Sequence, residues 1–513
     1  MEKPYLYINY ENGQARVQGT AVYTFGHQLD APLVDGRPQG VYAQWRWDGT
    51  SLTVTNDTFG FYPLYYYCDE KSVCVSPSLS KVLEIISDRD LDYPALAVFL
   101  RLGFFIGEDT PFENIKALPP NADFVWKKGK FAVWGGLSLP RAVSDNREVA
   151  IGRVIELFRQ GLSRRLPKGQ PFVLMLSGGY DSRHILLELL RLGEKNVLCV
   201  TTRKYPPSTG DDMRVAQKVT KELSVPHKII EQQIPRLTAE LKNLEKTNFC
   251  ADEHAWILET AEYFKNKTAV LYDGIGGGTL LMSNEPEREC ALLLQAGRLK
   301  EAADRILTQW YKRDEKSFQL TLSRDFYQRT NVECAREHLI KELKKHVAAA
   351  DPFVSFNFWN RARREIALSS NGIFSHIPTV YCPFLDHALV QYALSLPVDT
   401  LGAKSFRQEM VRRANPEWSH IPFDDDEDRD QQTSRHQAQF IRDLTWHLMQ
   451  RNLFKSKYLQ MHYLLPRMFK SLLNRKYAQS LWWIHPQVIL YLSELEKLQY
   501  KSLQRRVAEG VQS

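Results

Sequence analysis

The chain is poor in cysteine. Seven thiols in 513 residues, at 68, 74, 199, 250, 290, 334 and 382, include no C-x-x-C pair. An odd count without paired spacing excludes a disulfide framework, and metal-ligand spacing is missing as well. Reduced, mostly buried thiols in a cytoplasm are expected. Long apolar runs are lacking too. One long uncharged stretch, 477–493, contains Gln479, His485, Pro486 and Gln487, which suit an amphipathic helix broken near Pro486 better than a bilayer span. Met1-Glu2-Lys3-Pro4 leads into polar sequence, so no secretory leader is expected. Neither charge dominates: 67 basic against 60 acidic residues leave +7, mixed in sign along the chain, which does not call for nucleic acid. Internal repeats and long low-complexity tracts are absent. What is present is a globular composition, 43% hydrophobic and 25% charged, long enough for two or three domains.

Residues 1–135 carry short alternating runs: Tyr42-Ala43-Gln44-Trp45-Arg46-Trp47, Ser51-Leu52-Thr53-Val54-Thr55, Leu64-Tyr65-Tyr66-Tyr67 and Ser72-Val73-Cys74-Val75. Asp48-Gly49-Thr50 and Asp69-Glu70-Lys71 supply turns, so an antiparallel β domain is predicted. A helix-leaning linker is expected over 136–169. From 170 the period changes. Strands at 172–176, 197–202, 227–230 and 269–272 and helices at 182–192 and 212–223 predict a parallel, doubly wound sheet. The fold class expected is therefore α/β. An N-terminal antiparallel β domain precedes a parallel-sheet domain over 170–425 and a helical extension over 426–513. The acidic run 424–428 reads as a solvated loop.

One stretch concentrates the chemistry. Val173-Leu174-Met175-Leu176 reads as a buried strand and Ser177-Gly178-Gly179 as a tight turn. Asp181-Ser182 then starts a helix with Ile185, Leu186, Leu189 and Leu190 on its apolar side. Such a corner points free N–H groups and a helix N-terminus, about +0.5 charge, at one spot, which suits a phosphate. The glycines let backbone approach an anion without Cβ collision, and the Asp181 carboxylate suits an accompanying Mg²⁺. The competing reading is an ordinary strand–turn–helix corner whose glycines serve only the turn. Elsewhere, Asp212 reads as a helix cap and Asp252-Glu253-His254 as an exposed helix start.

The hexapeptide Ser177-Gly178-Gly179-Tyr180-Asp181-Ser182 resembles, letter for letter, the Ser-Gly-Gly-x-Asp-Ser pyrophosphate loop of the N-type ATP pyrophosphatases. Flanking segments narrow the resemblance to asparagine synthetases. Asn56-Asp57-Thr58-Phe59-Gly60-Phe61-Tyr62-Pro63-Leu64-Tyr65-Tyr66, Val75-Ser76-Pro77-Ser78 and Leu118-Pro119-Pro120-Asn121 are similar to that family's N-terminal domain. Pro383-Phe384-Leu385-Asp386 and Lys404-Ser405-Phe406-Arg407 are similar to a helix start and its basic continuation in the synthetase domain.

The resemblance implies a degenerate glutamine-hydrolase-like sandwich and an ATP-dependent ligase that activates a carboxylate as its adenylate. AMP and pyrophosphate leave, and ammonia or an amine completes the amide. Ser177, Gly178, Gly179 and Ser182 are implied as the pyrophosphate cradle, Asp181 as the Mg²⁺ anchor, and Thr201 beside the adenine. Gly274 and Gly276 are implied as close approaches to the nucleotide. The family's second metal acid falls on Gly278, which leaves Asp273 as its replacement. Lys404 or Arg407 takes the role of a lysine that neutralises pyrophosphate. Glu2 stands where glutamine-hydrolysing members carry a nucleophilic cysteine, so that activity is expected to be lost. The partners expected are a small-molecule or peptide carboxylate and ammonia or an amine, with no nucleic acid and no membrane. Relatives that close β-lactam or lasso-peptide rings, and a non-catalytic nucleotide binder, are the alternatives. RNA thiolases and lysidine synthetases share the loop but place it near the chain start, and the thiolases add paired cysteines.

Overall fold

The computed structural model describes residues 3–86, 89–205, 211–281, 284–309, 313–401, 406–423, 435–450, 456–480 and 485–508. Its first ten strands pair antiparallel: β1 (Leu6–Glu11), β2 (Gln14–Gly19), β3 (Val22–Gln28), β4 (Gly40–Trp47), β5 (Leu52–Asn56), β6 (Tyr65–Cys68), β7 (Ser72–Ser76), β8 (Ile115–Ala117), β9 (Asp123–Lys127) and β10 (Lys130–Trp134). They form two sheets, ordered β2-β1-β7-β6-β8 and β10-β9-β5-β4-β3. Alternating residues of both sheets, including Trp45, Val54, Val73, Val75, Phe124 and Trp126, fill one core between them. Turn chemistry is local, as the sequence suggests. The Asp48 carboxylate accepts the N–H groups of Thr50 and Ser51, each at 2.8 Å, and Gly49 takes φ 95°.

The segment around Asp57 is a structural knot. Its buried carboxylate accepts N–H groups of Tyr42, Phe59 and Phe61 at 3.2, 3.0 and 3.3 Å. Burial pushes the carboxyl up to about 6 while those N–H groups hold it back. The neighbouring Asn56 side chain donates to the Pro119 carbonyl at 2.8 Å and accepts the Ala122 N–H at 2.7 Å. Two sequence-distant resemblance segments thus brace each other.

The third sheet comprises β11 (Phe172–Met175), β12 (Val197–Thr202), β13 (His227–Ile230), β14 (Val270–Tyr272) and β15 (Thr379–Tyr381), all parallel, in the order β13-β12-β11-β14-β15. Successive strands step away from β11 on one side, then β14 returns to its other side. A reversal of this kind opens a crevice at the carboxyl ends of the strands. β15 has three residues and no periodicity to read. Where a linker was expected, the helix Arg147–Ser163 buries Ile151, Val154, Phe158 and Leu162 in the same core as β11 and β14. Beyond 285 the chain is mainly helical, and it includes two π-helical stretches, Asn357–Ile366 and Ser369–Ile373. The helices Arg435–Gln450, Met461–Leu473 and Pro486–Ala508 share a core with helix Tyr93–Leu102. Among the described residues no helix is long and apolar enough to cross a membrane. The acidic run at 424–428 and Lys404 lie outside the described residues.

Candidate active site

Leu176 follows β11, and its six successors make the corner read from sequence. The corner is folded by its own serines. Ser182 Oγ accepts the Ser177 N–H at 3.0 Å, the two hydroxyls lie 3.1 Å apart, and Ser177 Oγ accepts the Gly179 N–H at 3.2 Å. Helix Asp181–Arg191 then starts with no side-chain cap hydrogen bond from its N-cap residue Tyr180. A buried Arg183 pins residues 421–423 onto this corner. It donates to the carbonyls of Ile421, Pro422 and Gly178 and lies 4.0 Å over the Phe423 ring.

The corner opens on a cavity of about 400 Å³ at the sheet's point of reversal. Of the residues singled out from sequence, Ser177, Gly179, Asp181, Ser182, Thr201, Asp273, Gly274, Gly276 and Arg407 line it. Gly178 is set back from the wall, and its N–H is taken by the Asp212 carboxylate at 3.2 Å. The other Asp212 oxygen pairs with Lys204 at 2.7 Å. Asp212 therefore reaches across to the serine–glycine corner. Thr201 Oγ1 donates to the Leu176 carbonyl at 2.7 Å, tying β12 to the start of the corner.

Opposite the corner lies the glycine-rich loop after β14, and the two interlock because side chains are missing. A Cβ on Gly277 would stand 2.5 Å from Asp181 Cγ. Gly276, at φ 99°, leaves no room either: a Cβ there would meet Leu385 Cδ2 at 2.9 Å. Phe384 and Leu385 thus floor the glycine loop. Asp386 anchors that floor, pairing with Arg164 at 2.7 Å and Arg165 at 3.0 Å. Burial pushes the Asp386 carboxyl up, but the two guanidiniums outweigh it and hold it below the usual range.

With that geometry in place, the family model for asparagine synthase matches residues 153–493. The chain belongs to the asparagine synthase family. Comparison with curated proteins returned no match.

In this asparagine synthase chain the residue expected to anchor a metal is already engaged. Asp181 Oδ2 accepts a hydrogen bond from Arg407 Nη1 at 3.0 Å, while its Oδ1 is buried without a protein partner. Asp273 shares the cavity but is committed to its own surroundings. The Ser370 hydroxyl donates to it at 2.8 Å, the N–H groups of Ile275 and Gly274 bond it, and burial pushes its carboxyl up. Among the described residues no group of three or more His, Cys, Asp or Glu could hold a metal ion. With Asp181 paired to Arg407 and Asp273 committed to Ser370 and its own loop, these carboxylates do not fit a Mg²⁺ held by the protein.

The far wall of this asparagine synthase cavity holds residues that sequence reading undervalued or missed. Glu253, His254, Trp256 and Arg361 lie there. Arg361 bonds Glu365 at 3.1 Å and lies 3.7 Å from Glu253. Burial, and after it Glu253, hold the fully buried Glu365 carboxyl well above the usual range. The His254 Nε2 lies 3.0 Å from the Glu365 carbonyl, which can only accept, so this nitrogen carries the proton and Nδ1 is free of it. Arg361 and Glu365 belong to the π-helix, whose wider turn a 3.6-residue period cannot reveal.

Proposed function

We propose that this protein is an ATP-dependent amide-forming ligase that activates a carboxylate as its adenylate for attack by ammonia or an amine. One observation carries the reading: an uncapped helix N-terminus and a Ser-Gly-Gly turn meet at the reversal point of a parallel sheet, over a 400 Å³ cavity, in an asparagine synthase chain. ATP lies with its outer phosphates on Gly179, Ser182 and the helix start, and its base along β12 near Thr201. As the acid's oxygen attacks the α-phosphorus, charge gathers on the departing pyrophosphate. The helix N-terminus and the Arg407 guanidinium oppose that charge, and fixed donors of this kind need no reorganisation during the reaction.

Acid and amine meet at the far wall. Burial lowers the His254 pKa, which keeps the ring neutral, and its Nδ1 accepts the proton released as the amine attacks the adenylate carbonyl. The nitrogen arrives free or on a substrate. In the β sandwich, burial pushes the thiols of Cys68 and Cys74 up to about 12, the opposite of an amide-attacking thiolate.

The Arg407–Asp181 pair favours a second reading, a non-catalytic nucleotide binder. ATP–pyrophosphate exchange with supplied carboxylic acids separates the two. Exchange with any acid, and AMP release on adding ammonium, supports the ligase. ATP binding with no exchange across a broad acid panel leaves only the binder.

A further inference from the structure

The residue at 278 has no side chain, and a guanidinium stands beside Asp181. The contact is direct: Arg407 Nη1 to Asp181 Oδ2 at 3.0 Å, with both side chains 16% exposed. The same guanidinium lies 5.0 Å over the Tyr180 ring, so it is positioned from two sides. A Cβ at Gly278 would stand 3.5 Å from that nitrogen and 3.5 Å from that oxygen. The spot where a second carboxylate would enter thus borders the ion pair.

The other acids of the cavity are engaged elsewhere, Asp273 with Ser370 and its own loop, Asp212 with Gly178 and Lys204, and Glu253 with Arg361 at 3.7 Å. Magnesium demands octahedral oxygen ligands and is usually anchored by one or two carboxylates together with phosphate. A single carboxylate already neutralised by arginine is a weak anchor, and the guanidinium repels an incoming cation at contact distance. Arginine itself pairs with phosphate in a fork geometry and stays charged at any working pH.

We propose that this site binds the polyphosphate of a nucleoside triphosphate without a magnesium ion held by the protein, Arg407 supplying the neutralising charge. The proposal rests on the nucleotide-binding reading above. It assigns Arg407 a binding role that a second metal carboxylate would otherwise share with Asp181.

Calorimetric titration of the full chain with ATP, once in EDTA and once in excess Mg²⁺, tests it. The expected Kd values agree within about threefold between buffers. Arg407→Ala is expected to lose about tenfold or more in both. Gly278→Asp has ordinary contact room beside Asp181 and is expected to bind poorly in EDTA and recover in Mg²⁺. Thermal unfolding checks that each variant is folded, and Gly278→Asp serves alone if Arg407→Ala is not.

Wild-type affinity that falls about tenfold in EDTA overturns the proposal and leaves the nucleotide reading standing. Arg407→Ala binding like wild type, or Gly278→Asp binding equally in both buffers, also overturns it. Binding in neither buffer removes the nucleotide reading, and this inference with it.

Discussion

The Asp212 carboxylate accepts the Gly178 N–H at 3.2 Å, so an acid of the chain itself occupies a donor of the serine–glycine corner. Lys204 holds that carboxylate from the other side at 2.7 Å. An incoming phosphate must compete for the same N–H. Replacing Asp212 with Ala frees the donor and removes a repelling charge. ATP affinity is expected to rise about fivefold, the worth of one exchanged hydrogen bond near 1 kcal/mol. Titration of both proteins under one buffer reads the change. Weaker binding in the variant would mean that Asp212 serves the ligand rather than competes with it.

Adjacent glycines of the facing loop should respond very differently to alanine. At Gly277 the added Cβ would stand 2.5 Å from Asp181 Cγ and 2.6 Å from its Oδ1, so the carboxylate must move and the Arg407 contact with it. At Gly278 the nearest atoms are 3.5 Å away, an ordinary contact. Gly277→Ala is expected to lose about tenfold or more in ATP affinity, with roughly 1–3 kcal/mol of stability, while Gly278→Ala stays near wild type in both. Titration and chemical denaturation of the pair check this. Equal behaviour would contradict the interlocked geometry.

His184 gives the pH dependence a specific source. It is fully buried on helix Asp181–Arg191, 4.4 Å from the Phe158 ring, and neither ring nitrogen has a protein hydrogen-bond partner. Burial lowers its pKa from 6.5 to about 4. The unfolded chain therefore takes up the proton first. The stability tied to this residue is complete above pH 6.5 and drains away as pH falls toward 4, by at most about 3 kcal/mol. Urea midpoints between pH 7 and 4.5 should fall more steeply in wild type than in His184→Phe. Parallel slopes would exclude His184 as the titrating group.

Asp386 is a positioning residue whose loss should act on folding before chemistry. Its carboxylate is fully buried between Arg164 and Arg165, and removing one partner of a buried pair leaves charge uncompensated. Asp386→Asn is expected to cost about 3–5 kcal/mol by chemical denaturation. Gly161→Ala should strain the same contact, since its Cβ would stand 2.7 Å from Asp386 Cβ. A change below about 1 kcal/mol for Asp386→Asn would show that the pair is solvated rather than buried.

Much of the fold was legible because its signals are local. Alternation over five to eight residues marks β4, β5 and β7, and apolar runs of four mark β11 and β14's neighbourhood. The serine–glycine corner was readable for the same reason: Ser177, Gly179 and Ser182 hydrogen-bond within five residues of one another. Other features had no such signal. β15 is too short to show a period, and the π-helical turn that sets Arg361 beside Glu365 departs from the 3.6-residue repeat. Asp212 looked like a cap because caps are judged from the next few residues, whereas its oxygens reach Gly178, 34 positions away.

By itself, the amino-acid order determined the sheet classes, the turn chemistry and the serine–glycine corner, since torsional preference and short hydrogen bonds depend on near neighbours. Tertiary structure alone decided the charge environment of the cavity. Arg407 reaches Asp181 across 226 positions, and the Asp273 carboxylate turns to Ser370 across 97. Electrostatic energy follows distance and burial in space, and separation along the chain has no part in it.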